Sequence, residues 1–338
     1  MGCVKLKTDS HWVTKLLKEK GKKKGEIMET AVAKKSWVHR WKKMLKRDYH
    51  LILLCVPALI FIFIFNYGPM YGIQIAFKDY NSRKGIWGSE WVGFEHFIRF
   101  FNSPDFWTIL GNTLWISLYE LLASFPFPIF LAILVNQVTR TKFKKTVQMV
   151  LYAPHFISVV VLCGMLNVFL SPSTGIINNL LASMGLERIF FLGQANLFDD
   201  VYVWSGVWQN SGWGMIIYLA ALTSIDPELY EAAKIDGANK VKLIRHIEIP
   251  QIMPTIVIML IMSVGRFMSI GFQKAFLLQN TMNLQKSEII STYIYRLGML
   301  NQQFDFSTAV GLFNNIVNVI LLVIVNTISK KLNETSLF

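Results

Sequence analysis

The sequence is short of charge. Only 16% of its 338 residues are Asp, Glu, Lys or Arg, against about 25% in an average soluble domain. Much of the surface is therefore expected to face lipid. Cysteine is scarce as well. Cys3, Cys55 and Cys163 form an odd, scattered set, which excludes a disulfide framework and a zinc-ligand spacing. Cys55 and Cys163 fall in apolar runs and read as small hydrophobes. Met1-Gly2-Cys3 opens like a lipidation signal, but Leu6 stands where that pattern needs Ser or Thr. No cleavable signal peptide is visible, because the first apolar run begins only near His50. The phosphate-cradling sequence G-x-x-x-x-G-K-S/T is absent, and Gly21-Lys22-Lys23-Lys24-Gly25 is a charge run rather than a phosphate loop. The six histidines show no paired metal spacing. His155, following Pro154, reads as a helix-start contact. No Ser/His/Asp or Cys/His set shares a face, so catalysis by this chain is not expected.

What is abundant is apolar. Hydrophobic residues make up 53% of the chain, and mean hydropathy is +0.40. The net charge of +13 is unevenly placed. Residues 1–50 hold 15 Lys/Arg and 5 Asp/Glu, a basic tail suited to an anionic lipid surface. Nucleic-acid binding is not expected, since no basic residues interleave with aromatics on a folded domain.

A membrane-spanning helix needs about 20 mostly apolar residues. Six candidates appear: Leu51–Phe77, Ile109–Val135, Val147–Leu170, Val201–Leu222, Ile252–Phe272 and Ala309–Ile328. The fourth is the least apolar, with Ser205, Gln209, Asn210 and Ser211. The positive-inside rule orients them. The basic tail, the loop with Arg140, Lys142, Lys144 and Lys145, and the segment from Lys330-Lys331 belong inside. The loop 171–200, with Glu187, Asp199 and Asp200 against Arg188 alone, belongs outside. Both termini are then cytoplasmic, and so is the loop 225–250.

That loop reads as two short helices with a turn between them. Asp226 is an N-cap with Pro227 at the first helical position. Gly237 can take a left-handed conformation and end the first helix. A second short helix, 240–247, leads into Pro250. Tyr230, Ala233 and Ile235 leave an amphipathic knob too small to be a domain. From pattern alone it is either an ordinary surface helix on the membrane or a docking element for a partner.

Glu231-Ala232-Ala233, Gly237 and the stretch Ile247-Glu248-Ile249-Pro250 resemble the coupling motif of binding-protein-dependent importer permeases, the type I (MetI-like) family. The motif falls between the fourth and fifth of six spans. Residues from about Lys46 to Asn326 resemble the oligosaccharide and polysaccharide branch of that family. The resemblance is carried by Pro69–Tyr80, Ala132–Asn136, Gly271-Phe272, Ile290–Gly298 and Ala309–Asn314. It implies that Glu231, Ala232, Ala233, Asp236, Gly237 and Pro250 dock a separate ATPase. It also implies a second permease, two ATPase subunits that bind ATP and Mg, an extracytoplasmic sugar-binding protein and a carbohydrate substrate. No cofactor is expected in this chain.

Polar side chains inside spans are costly and tend to face a path or a partner. Asn314 and Asn318 share a stripe of the sixth span, with Asn315 adjacent. Trp204 and Trp208 share one face of the fourth span, Gln209 and Trp213 another, and Asn167 lies near the outer end of the third. Amides and aromatic faces suit a sugar path. Helix packing and an interfacial aromatic belt are the competing readings. Glu120 and Arg266 are ionisable residues well inside spans and read as a structural pair or a tie to a partner subunit.

The expectation is an all-α integral membrane protein of six transmembrane helices. It consists of a basic tail at 1–45 and a permease domain at 46–338. The function implied is the permease subunit of an ATP-driven oligosaccharide or polysaccharide importer in the cytoplasmic membrane. The alternative is a self-sufficient secondary transporter or channel, which would have no use for the loop 225–250.

Overall fold

The computed structural model of the protein describes residues 47–333. The basic tail expected at 1–45 lies outside them. The chain divides into two units, one ending at Gly72 and one starting at Ile73. The first unit is helix α1, Tyr49–Ile62, continued by helical turns to Met70. Its apolar side chains are exposed all round, the surface expected of a helix solvated by lipid rather than water.

The second unit opens in a helical turn that ends at Phe77, followed by a two-residue ladder, β1 (Lys78–Asp79) antiparallel to β2 (Glu90–Trp91), with Lys78 opposite Trp91. Helix α2 (Glu95–Phe101) follows, and its His96 is pinned by Nε2 at 3.0 Å from the Lys78 carbonyl. Helices α3 (Phe106–Ser124) and α4 (Pro126–Asn136) run on from one another through Phe125, which keeps helical dihedrals. Pro126 is tolerated because it opens α4, where its missing N–H is one the first turn leaves unbonded anyway.

The third apolar stretch corrects the sequence reading. It is not one helix over 147–170 but α5 (Thr141–Tyr152) and α6 (Val159–Phe169), bent by 94°. Pro154 lies in a tight turn at Ala153–Phe156, and Ser158 starts α6 afresh by accepting from the Val161 amide at 3.3 Å. A side-chain cap competes with helix continuation at such a position. Helix α7 (Ile176–Ser183) precedes the 26-residue α8 (Phe198–Thr223).

Helix α8 is about 39 Å long, enough to cross a bilayer. It packs against α3, α4 and α5 and buries Val203, Val207, Met215, Leu219 and Leu222 along with Ser205, Gln209 and Ser211. At Gly212 the backbone of α5 comes so close that a Cβ would overlap the Leu151 carbonyl. Among the described residues, four helices are by length and composition apolar enough to cross a membrane, or five if the bent pair is one span. Helix α8 falls outside that set because its neighbours are protein, so its surface need not be oily.

Next come α9 (Pro227–Ile235) and α10 (Lys240–Leu243), a π turn at Ile244–Glu248, and α11 (Ile249–Val264). The expected separate helix at 240–247 is instead the start of one 25-residue segment, Lys240–Val264. The widened turn sits just before Pro250, whose missing N–H breaks the ordinary ladder. The same segment stops at Val264, short of the expected Phe272. Gly265 lets Leu322 approach, and the freed Met268 amide donates to Asn318 Oδ1 at 2.9 Å. Helices α12 (Phe272–Leu278), α13 (Ile290–Tyr295) and α14 (Phe304–Asn333) complete the fold.

Candidate functional site

Two regions concentrate the sequence's candidate residues. The first is the loop between α8 and α11. Asp226 Oδ1 accepts from the Glu228 amide at 3.0 Å and starts α9 with Pro227 at its first position. The helix ends in a paired hydrogen-bond lock. The Ala238 amide donates to the Ala233 carbonyl at 2.9 Å, and the Gly237 amide to the Lys234 carbonyl at 3.1 Å. This closure needs a left-handed residue, and Gly237 supplies it with φ +76°. A residue with a Cβ would cost about 1–2 kcal/mol there. Asn239 then caps α10 by accepting from the Lys242 amide at 2.9 Å.

The knob so built is half apolar and half charged. Glu231, Ala232, Asp236, Gly237 and Pro250 are exposed, and Ala233 is half-buried. Beside them Ile235 is 87% and Val241 70% exposed. Two aliphatic side chains held out on a rigid turn are costly in water unless something covers them.

The sequence reading missed what holds this knob to the bundle. Glu248 is fully buried. Its Oε1 accepts from Asn136 Nδ2 at 3.0 Å, Gln137 Nε2 at 2.8 Å and the Tyr230 hydroxyl at 3.4 Å. One carboxylate oxygen thus joins the end of α4, the knob helix α9 and the root of α11. Burial pushes the Tyr230 phenol up, and the Glu248 charge adds to that. Around this node Ala132, Val135, Tyr218, Leu222 and Ile252 form an apolar cluster against which Tyr230 and Ile247 pack. The signal in the sequence was an acid between two isoleucines, Ile247 and Ile249, at the root of a span.

The second region is a cavity of about 290 Å³ inside the bundle. Its walls are the middle of the α3–α4 run (Glu120, Ser124, Pro128), the inner half of α8 (Gly214, Tyr218), α11 (Met259, Ser263) and the segment after it (Arg266, Ser269). Glu120 and Arg266 therefore share a cavity but are not an ion pair. Glu120 instead shares the space beside Gly206 with Lys274 of α12. The Lys274 ammonium and Glu120 Oε1 lie 3.0 and 3.9 Å from where a Cβ of Gly206 would stand. The Lys274 ammonium also donates to the Tyr202 carbonyl and lies 4.6 Å from the Tyr202 ring centroid. The sequence reading passed over Lys274 because it placed the span's end at Phe272.

The other polar candidates do not gather into one lining. Gln209 is buried and donates to the Ile157 carbonyl at 2.7 Å, which satisfies the break between α5 and α6. Asn318 is buried and holds the break after α11, accepting from Met268 and donating to Ser269 Oγ at 3.2 Å. Both amides are taken up by interrupted backbone, where membrane depth offers no water to do that job. Asn167 bonds the Cys163 carbonyl of its own helix at 2.9 Å. Asn315 is exposed, and Asn314 Oδ1 is buried with no partner among the described residues.

The tryptophans separate as well. Trp204 and Trp208 line a cavity of about 520 Å³ whose other wall is Leu162, Met165 and Phe169 of α6. The Trp204 indole donates to the Tyr119 hydroxyl at 2.9 Å, which donates to Asp200 Oδ1 at 2.6 Å. Trp213 stacks on His155 with centroids 4.6 Å apart and planes 7° from parallel. His155 Nδ1 is 3.0 Å from Asn210 Oδ1, so this ring ties the break to α8.

The family described as "Binding-protein-dependent transport system inner membrane component" matches residues 117–334, from the middle of α3 to the end of α14. Protein LplB of Bacillus subtilis (strain 168) is 42% identical over 298 residues, covering 88% of this chain and 94% of that protein. The polygalacturonan/rhamnogalacturonan transport system permease protein YteP of the same organism is 43% identical over 296 residues, covering 88% and 92%. The fold is similar to a chain in the crystal structure of a bacterial ABC transporter involved in the import of the acidic polysaccharide alginate. The TM-score is 0.81 at 40% identity, with 87% of this chain and 99% of that chain covered.

Proposed function

Since the chain belongs to the family of binding-protein-dependent transport system inner membrane components, we propose that it carries oligosaccharides or polysaccharides across the cytoplasmic membrane, driven through α9 by a separate ATPase. The observation that carries this is the α9 knob. It is capped at both ends, it exposes Ile235 and Val241 beside Glu231, and it is bonded to the bundle through Glu248. A helix built this way is a lever with its handle uncovered. Glu231 would meet basic groups of the ATPase, the aliphatic pair would fill a cleft, and Gly237 would keep the turn tight.

The working assembly is this chain with a second permease, two ATPases that bind ATP and Mg, and an extracytoplasmic sugar-binding protein. Six spans with both termini cytoplasmic remain the topology, with α8 as the span that hydropathy alone hides and α5–α6 as a broken one. A carbohydrate substrate is favoured by what the relatives carry. Trp204 and Trp208, which line one cavity, and Trp213, Asn314 and Asn315 elsewhere are the side chains proposed to meet sugar.

Co-expression with its ATPase and affinity purification tests the docking role. The wild-type chain brings the ATPase down, and Glu231→Lys loses it. Reversing an interface charge of this kind costs about 2–5 kcal/mol, roughly 30-fold or more in affinity. Retention of the ATPase by Glu231→Lys would sink the assignment.

A further inference from the structure

An ATPase on α9 acts at one face of the membrane, yet the path has to open through its whole thickness. Coupling between distant sites travels through rigid elements and the bonds that join them. Two elements leave the Glu248 node. One is α11, which ends at Val264, and the chain is not helical again until Phe272. The other is the α3–α4 run, joined to Glu248 by Asn136 and Gln137. That run is 31 residues long, about 46 Å, and it stays helical through its joint at Phe125.

The far half of the run is bonded to the chain that follows the break. Thr113 Oγ1 accepts from the Ile290 amide at 2.9 Å. Asn112 Nδ2 donates to the carbonyls of Gln285 at 2.8 Å and Glu288 at 3.1 Å. Both side chains are buried. Two turns along α3, Glu120 meets the charge of Lys274 from α12.

Lys274 is only 8% exposed, and its reach to α3 depends on a notch in α8. A Cβ at Gly206 would stand 3.0 Å from the ammonium and 3.9 Å from Glu120 Oε1. The ammonium donates to the Tyr202 carbonyl and lies 4.6 Å from the Tyr202 ring centroid. The Tyr202 hydroxyl reaches back to α12 and donates to the Gly271 carbonyl at 3.4 Å. A buried ammonium is stable only when bonded and faced by opposite charge. Here α8 and α3 supply both, so the arrangement is complete within one chain.

We propose that Lys274 is a positioning residue for transport. It fastens α12 to α3 across α8, so that movement of α9 reaches residues 272–295 along the α3–α4 run and not through the interrupted α11. The proposal rests on the docking of an ATPase at α9.

The test is hydrogen exchange read by mass spectrometry on the whole importer in proteoliposomes, first free of nucleotide and then trapped with Mg-ATP and vanadate. In wild type, trapping changes exchange in both 226–248 and 272–295. K274M keeps the first response and loses the second. E120Q, which keeps the shape and removes the charge, weakens the second response in the same way, and it decides the matter if K274M does not assemble. A wild-type response of 272–295 in E120Q overturns the proposal. So does faster exchange of 272–295 in K274M with its response to trapping intact, which would make Lys274 a packing residue only. A wild-type importer that responds in 226–248 but not in 272–295 overturns the proposal and leaves the docking of an ATPase standing. No response in 226–248 overturns the docking itself.

Discussion

The α9 loop and the bundle cavity draw on different stretches of chain. The loop takes Asp226, Pro227, Gly237 and Asn239 from 14 consecutive residues, and the backbone bonds that shape it span at most five positions. The cavity takes one wall from residues near 120, another near 214 and a third near 266. A local device has a sequence signature, because capping and left-handed turns are properties of neighbouring residues. A wall made of three helices has none, because which side chain faces which is decided by packing. The same contrast separates their mechanics. The knob can change its surface without disturbing the bundle, whereas the bundle tolerates little change at its close contacts.

That contrast can be tested by substitution. The largest effect belongs to the bundle. Gly212→Ala places a methyl group into the Leu151 carbonyl across α5 and α8. It should cost about 3 kcal/mol through forced backbone movement, read as a lowered Tm of the purified complex. A Tm equal to wild type would mean that the two helices can part freely, and the contrast would break.

Glu248 lies on the boundary between the two regions. Glu248→Ala leaves the Asn136 and Gln137 amides unpaired in an apolar cluster, a cost of about 1–3 kcal/mol. Because the lost bonds join α9 to α4, sugar moved per ATP hydrolysed should fall more than ATPase activity does. Glu248→Gln, which keeps an acceptor oxygen, should recover part of that ratio. Equal losses of transport and hydrolysis would reduce Glu248 to packing alone.

The smallest effect is expected at the turn. Gly237→Ala strains one left-handed residue by about 1–2 kcal/mol, on a part of the chain that little else leans on. The expected outcome is weaker ATPase retention at an essentially unchanged Tm. A Tm drop as large as that of Gly212→Ala would contradict the local character of the loop.

The sequence disclosed the loop nearly whole and the bundle in outline. Asp226, Pro227 and Gly237 act where their types predict. Four apolar helices among the described residues were legible from composition, while Val147–Leu170 hid a 94° break. Its apolar composition runs through the break, and only Pro154 and Ser158 mark it. The end of α11 was illegible because it depends on Leu322 and Asn318, more than 50 residues on. Glu248 and Lys274 escaped notice for the same reason: a lone charged residue says nothing of its partners until the fold brings them within reach. Gln209 and Asn318 were legible as polar side chains within spans, but the interrupted backbone that each one bonds was not.

The proposal that ATP drives sugar import through α9 sets this chain apart from a self-sufficient transporter. Uptake in proteoliposomes holding the full assembly, with ATP inside and ionophores abolishing every ion gradient, tests it most directly. Uptake should persist with ionophores, stop without ATP, and disappear in Glu231→Lys although the variant chain still inserts and folds. Uptake by this chain alone, powered by a proton gradient and indifferent to Glu231→Lys, would contradict it and make the chain a self-sufficient transporter.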